Sequence, residues 1–396
     1  MAASPGIRHA LALAADIEEA LDHVDADDFA RRGLLLSWRA YLLVNVDAER
    51  SAEAIDAAET YAARAPNPQI DVAIRYTRLR QAESFGADPG ACEREALQLV
   101  ADVEAAGDRS LASYGHVAAQ AARVRGGRFD ECRAAQEWYV AAAVEGHQKA
   151  IELQLAAVDT ALAFATASVA EIDASSRALH ERLSRASVES APAVRFVQQL
   201  FVERERGPRP RWEPVMRQVA AAPLHANEPI VAAGLLAVGD RAAAAEALAP
   251  FLARLDDLPR DWSHDALAAV AAEVVTDLGH VGPHIGQLYD ALLPSRGQVV
   301  TLTSVVAVLG RVDRYLGRLA HQAGDLDRAV AHLEAARQLD DAAGSGLWSG
   351  WAARDEAAAR LARDADGDRS AAEELHDLAR ERARSHGSER LAAVIP

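Results

Sequence analysis

Lysine, cysteine and aromatic side chains are all scarce in this chain, and each scarcity excludes something. Lys149 is the only lysine among 42 basic residues, an arginine bias that reflects genome composition and carries no mechanism. The two cysteines, Cys92 and Cys132, have no metal-ligand spacing. They exclude a disulfide scaffold and fit a reducing cytosol. Aromatics make up only 5% of residues. No apolar run reaches the ~18 residues of a membrane span. The opening MAASPGIRHALALAAD lacks the charged start and cleavage site of a signal peptide, so a cytoplasmic protein is expected, with no membrane partner. Basic residues are outnumbered by 59 acidic ones, for a net charge of −17. That field repels phosphate backbones and argues against general nucleic-acid binding.

Alternation at period two is also missing, whereas helical periodicity runs almost throughout. Half the residues are apolar, and alanine, a strong helix former, is abundant. Breaks holding Gly, Pro or Asp recur at intervals of roughly 35–45 residues per helix pair, the period of helix-hairpin solenoids. Pairs are expected to begin near Ala30, Asn67, Arg109, His147, Ser190, Asn227, Asp261, Val299 and Leu347. A single helix over Gly6 to Val24 precedes them as a cap or half-pair. The β-branched run Val299 to Gly310 has strand propensity, but it leads directly into a strong helical pattern and is read as helix. Arg204 to Pro214, rich in Pro and Arg, reads as a hairpin turn with Pro opening the next helix. It also marks a bend, so degenerate repeats are expected over 1–205 and clearer ones over 206–396, in one continuous superhelix.

The clearest unit is Asp313 to Asp340. Gly317 lets two helices approach, Gly324-Asp325 makes the turn, and Ala329, Leu333 and Ala336 form the packing face. This spacing resembles the tetratricopeptide repeat, departing from it at Asp341, where that family usually has Pro. Weaker copies of the turn occur at Arg125–Ala135, Ala237–Leu248 and Asp364–Leu375. The strings DLPRDW (Asp257 to Trp262), QLYDALLP (Gln287 to Pro294) and GRVDRYLGRLAHQAGDLDRAVAHLEAA are similar to the C-terminal helical region of large bacterial AAA/STAND-type ATPase regulators, LuxR-type or cyclase-linked. The similarity is clearest after residue 225. It implies a sensor or scaffold whose catalytic and DNA-binding functions reside in other domains. Here there is no GxxxxGK[ST] loop, and no helix-turn-helix follows the repeats.

Arg311, Arg314, Arg318 and His321 are spaced to share one helical face. In a tetratricopeptide-like hairpin that face lines the concave groove. Adjacent guanidiniums suit an anion or a peptide carboxylate; the competing reading is pairing with this acidic chain's own carboxylates. Trp38, Tyr41, Tyr76 and Tyr114 lie on first helices of their pairs, so they are groove-lining or core. Trp348 and Trp351 fall in the same class. His280 and His284 are spaced i, i+4, but Gly282-Pro283 interrupts the helix and no third ligand is adjacent, so no metal is expected. Asp261, His264 and Asp265 read as a helix start rather than an acid–base group. Neither cysteine nor any serine sits in a nucleophile signature.

The resulting expectation is an all-α, right-handed solenoid of about nine tetratricopeptide-like hairpins plus an N-terminal helix. It would be a binding module, regulator or scaffold, without cofactor, whose groove holds a peptide, a protein partner or a small acidic ligand. The alternative is a cofactor-independent acid–base enzyme (an isomerase, cyclase or lyase) enclosing a small molecule.

Overall fold

In the computed structural model the described residues are 5–44, 47–84, 86–145, 149–188, 190–207, 212–221, 227–258, 263–279, 282–302 and 306–396. They form twenty α-helices and one two-stranded sheet. The first six helices are α1 (Pro5–His23), α2 (Phe29–Leu43), α3 (Ala48–Ala62), α4 (Pro68–Ser84), α5 (Pro89–Ala105) and α6 (Arg109–Gly126). Next come α7 (Phe129–Glu145), α8 (Lys149–Thr166), α9 (Val169–Arg185), α10 (Ala191–Glu205), α11 (Glu213–Ala221), α12 (Glu228–Ala237), α13 (Arg241–Leu252), α14 (His264–Leu278) and α15 (Pro283–Leu292). Strands β1 (Val299–Leu302) and β2 (Ala307–Arg311) follow. The chain finishes with α16 (Val312–Gln322), α17 (Leu326–Ala342), α18 (Gly346–Arg363), α19 (Asp368–His386) and α20 (Glu389–Ala393). Among the described residues no helix is long and apolar enough to cross a membrane.

Helix starts are set by short acidic and hydroxyl caps. Asp28, Asp47, Asp88, Asp240 and Asp325 each accept from the backbone N–H three residues on, and Ser168 with Glu171 forms a reciprocal capping box. Helices open at Phe29, Pro68, Arg109, Lys149, Ala191, Glu228, His264 and Gly346, each within three residues of an expected pair start. His147, Asp261 and Trp262 themselves lie outside the described residues, as do 208–211 of the proline-rich turn; Pro214 does sit in the first turn of α11.

Most consecutive helices pack against one another, and the alternate helices α2, α4, α6 and α8 also touch in succession. The Asp313–Asp340 hairpin packs as its spacing predicts. A Cβ on Gly317 would lie 2.5 Å from Leu333 Cγ and 3.1 Å from the Ala329 carbonyl, so only glycine admits this close approach of α16 and α17. Gly324 closes the turn at φ +82°.

The run at 299–310 requires a correction: its described residues form a pair of antiparallel strands, not a helix. Val299 pairs with Arg311, Thr301 with Val308 and Leu302 with Ala307, with an irregularity between Val299 and Thr301. Val299, Val300 and Val308 are buried, and β-branched side chains suit a pleated, enclosed ribbon. Gly310 takes φ +81° against the Trp348 ring, a conformation no α-helix contains. The strand pair wedges between α6 and α14 on one side and α8, α17 and α18 on the other. The largest apolar cluster therefore runs from Ala121 in α6 to Leu391 in α20.

Candidate functional site

The arginine stripe lies inside the protein. Arg311 ends β2 and precedes α16, so it does not share a helical face with Arg314 and Arg318. Its guanidinium pairs with Asp340 at 3.3 Å and donates to the carbonyls of Gly297, Gly126 and Leu339. Arg314, 1% exposed, donates from Nε to Asp355 at 2.8 Å and packs over the Tyr315 and Trp351 rings. Arg318 donates to Asp277 at 2.5 Å and to Thr276 Oγ1 at 2.7 Å. His321 is half-buried, and burial with the nearby Arg318 and Arg354 charges pushes its pKa down against the pull of Asp355.

What encloses these arginines is a carboxylate set not singled out by the sequence spacing. Glu273 in α14 accepts from Arg204 of α10 at 2.9 Å and from Arg390 of α20 at 3.0 Å, and lies 3.8 Å from Arg314. Glu205 accepts from the Trp351 indole at 3.1 Å and from Ser388 at 2.6 Å. Arg204, Arg314, Arg318 and Arg390 thus face Glu205, Glu273, Asp277 and Asp355 across five helices. Burial pushes the Glu273 carboxyl up, but the four surrounding guanidiniums override it and hold it well below the usual range. The same opposition, won by Arg314, Arg318 and Arg354, keeps Asp355 ionised. Asp340 goes the other way: burial outweighs Arg311 and raises its carboxyl to about 7.

The four aromatics of α2, α4 and α6 do come together. Trp38 and Tyr41 from α2, Tyr76 from α4 and Tyr114 from α6 form a closed circuit of rings. Centroid separations are 5.9 Å for Trp38–Tyr41, 5.7 Å for Tyr41–Tyr76, 5.3 Å for Tyr76–Tyr114 and 6.3 Å for Tyr114–Trp38. Tyr76 is buried, while Trp38, Tyr41 and Tyr114 are part-exposed. Gly115 fixes the seat of Tyr114, because a Cβ there would lie 2.7 Å from the Ala96 carbonyl; α5 and α6 close together at that point. Burial, with Tyr41 nearby, raises the Tyr114 hydroxyl above its ordinary pKa. The arginines flanking Tyr76 are engaged at the rim, Arg75 with Asp102 at 2.8 Å and Arg78 with Glu59 at 2.6 Å.

A neighbouring patch continues this face on α6 and α7. The His116 ring stacks on Tyr139 at 4.2 Å and meets Trp138 edge-on at 4.8 Å. Trp138 is 55% exposed. Burial and the Arg123 charge push His116 down to about 4, so its imidazole is neutral at pH 7. The adjacent Trp138-Tyr139 pair in α7 was the available sequence signal for this patch.

The remaining candidates are accounted for by packing. The Trp348 indole donates to the Phe164 carbonyl and Trp351 to Glu205, both inside the core. His264 Nδ1 bonds Asp265 at 3.1 Å. His280 lies outside the described residues, and among the described residues no group of His, Cys, Asp or Glu is arranged to hold a metal ion. Burial pushes the Cys132 thiol up to about 12, which removes it as a nucleophile at neutral pH. Comparison with protein-family models gives no match for this chain, and comparison with curated proteins gives none.

Proposed function

We propose that the chain is a helical-repeat binding module, a regulator or scaffold, whose ligand is a peptide segment of a protein partner held on the α2–α4–α6 face. In this reading the helices build one continuous right-handed solenoid of tetratricopeptide-like hairpins, of the kind that serves as the sensor region of AAA/STAND-type regulators, and it works in the cytoplasm. The observation that carries the proposal is the four-ring circuit of Trp38, Tyr41, Tyr76 and Tyr114. Three successive alternate helices contribute to it, as in a solenoid's concave surface. Half-exposed Trp and Tyr offer broad apolar contact with a polar tip at small entropic cost, the composition of peptide-binding surfaces. Arg311, Arg314 and Arg318 are engaged by the chain's own Asp340, Asp355 and Asp277, so an acidic small ligand is not assigned to them.

The test is selection of peptides from a random display library against the wild-type protein, followed by titration of the selected peptides. Binding should weaken tenfold or more in Trp38→Ala and in Tyr114→Ala, with helicity unchanged by circular dichroism. Selected peptides that bind both variants as tightly as the wild type would refute the assignment.

A further inference from the structure

Away from the aromatic face, three side chains from successive helices form a relay. Asp313 opens α16, His332 lies in the second turn of α17, and Tyr289 lies on α15. The Gly324 turn folds His332 back onto Asp313, placing His332 Nδ1 3.1 Å from Asp313 Oδ1. On the other side of the imidazole, Nε2 is 2.9 Å from the Tyr289 hydroxyl. The second carboxylate oxygen of Asp313 accepts from the Gly297 backbone N–H at 2.5 Å. Asp313 is 1% and His332 5% exposed, while Tyr289 is half-buried.

The direction of the relay follows from the acid. Burial pushes the Asp313 carboxyl up, but His332, the Gly297 N–H and Arg296 prevail and lower it. An ionised carboxylate only accepts hydrogen bonds, so the Nδ1 facing it carries the proton. In the neutral imidazole that leaves Nε2 as the acceptor, and the tyrosine O–H donates to it. The order is carboxylate, imidazole, hydroxyl, with the same roles as a nucleophile, its base and the base's orienting group.

The charged groups around the relay complete it. Arg328 of α17, itself paired with Asp325 at 3.3 Å, lies over the Tyr289 ring at 5.7 Å. Arg296 pairs with Asp313 at 3.4 Å. Both arginines reach solvent, with 57% and 63% of their side chains exposed, and Tyr289 is itself part-exposed, so the tyrosine end of the relay is not sealed in the core.

We propose that Tyr289 is a base-assisted nucleophile that accepts an acyl group from an activated acyl compound such as a thioester or acyl-imidazole. His332 Nε2 takes the phenolic proton as Tyr289 Oη bonds to the acyl carbon. The bond from that carbon to the leaving group breaks, and the leaving group departs with the proton held by His332. The products are O-acyl-tyrosine and the protonated leaving group, with no redox change. Asp313 acts as a positioning residue, since it meets His332, the Gly297 N–H and Arg296 and not the reacting hydroxyl. This assignment is independent of the peptide-binding reading.

The probe is N-acetylimidazole, with acetylation at each of the seven tyrosines followed by peptide mass spectrometry. Tyr289 should be acetylated fastest at pH 7.5, and at least tenfold faster than in His332→Gln. Acetylation of the other six tyrosines should be the same in the two proteins, so the loss is confined to the tyrosine that His332 faces. Because His332 is buried, that variant can lose its fold; the ranking of the seven tyrosines in the wild type then decides alone. A Tyr289 rate no higher than that of part-exposed Tyr41 or Tyr61 overturns the proposal.

Discussion

The two ends of the molecule solve the same packing problem with opposite chemistry. In α2, α4 and α6, alternate helices meet through Trp38, Tyr41, Tyr76 and Tyr114, and three of these rings keep part of their surface in water. In α10, α14, α16, α18 and α20, helices meet through buried guanidiniums and carboxylates around Glu273. An aromatic ring with a polar tip contributes to packing whether or not a ligand covers it. A buried charge has no such latitude, because it must be matched within the fold. The C-terminal network therefore closes the chain on itself, while the N-terminal face leaves part of its ring surface exposed.

The comparison breaks most readily at Glu273. Glu273→Ala leaves Arg204 and Arg390 without the carboxylate that both now share. Removing one partner of a buried pair costs about 3–5 kcal/mol, and here two pairs share it. Urea unfolding monitored by circular dichroism should show a loss of at least this size. A loss no larger than that of Trp38→Ala would mean that the ionic network is not what holds the C-terminal helices together.

The next effect tests the hairpin that was plainest in the sequence. At Gly317 the small-residue spacing identified a close helix approach, and the geometry bears it out at 2.5 Å from Leu333. Gly317→Ala forces α16 and α17 apart and should cost about 1–3 kcal/mol, read as a lowered urea midpoint. Helix starts were equally legible, because Asp caps and glycine turns are local signals. The burial of Arg314 and Arg318 was not. A 3-to-4 spacing fixes which residues share a face, but not whether solvent or Asp355 and Asp277 lie opposite it. The β1–β2 strand pair is hidden in the sequence because the helical periodicity that follows it reads backwards across Gly310. Its strand pairing is held by α6, α8 and α14 from far along the chain, and tertiary context of that kind leaves no local pattern.

A pH series sharpens the electrostatic side. The Asp340 carboxyl is raised by burial to about 7 from an ordinary 3.8. Between those values the folded chain holds a proton that the unfolded chain has released. Its contribution to stability therefore falls as pH climbs from about 4 to about 7, and is flat above that. Asp340→Asn keeps the shape and does not titrate. Its stability relative to wild type should rise from pH 5 to pH 7 with a slope of at most about 1.4 kcal/mol per pH unit, then level off by pH 8. Glu273 and Asp355, whose pKa values are lowered, act in the opposite direction, and they are present in both proteins. Thermal melts of the pair across this range isolate Asp340.

The smallest effect on stability belongs to the N-terminal face, and it is the most discriminating. Trp38 is part-exposed, and its ring touches Tyr41 and Tyr114 at their edges rather than filling a sealed core. Trp38→Ala should cost about 1 kcal/mol, well below the cost of truncating a fully buried aromatic. Trp138→Ala, at a ring 55% exposed, should cost less again. If Trp38→Ala instead destabilises as strongly as Glu273→Ala, the aromatic circuit is core in the same sense as the ionic network, and the two regions no longer differ in kind. A small stability change combined with a tenfold loss of selected-peptide binding separates the two roles, because a ring that serves only packing has no means of changing affinity while the fold stays intact.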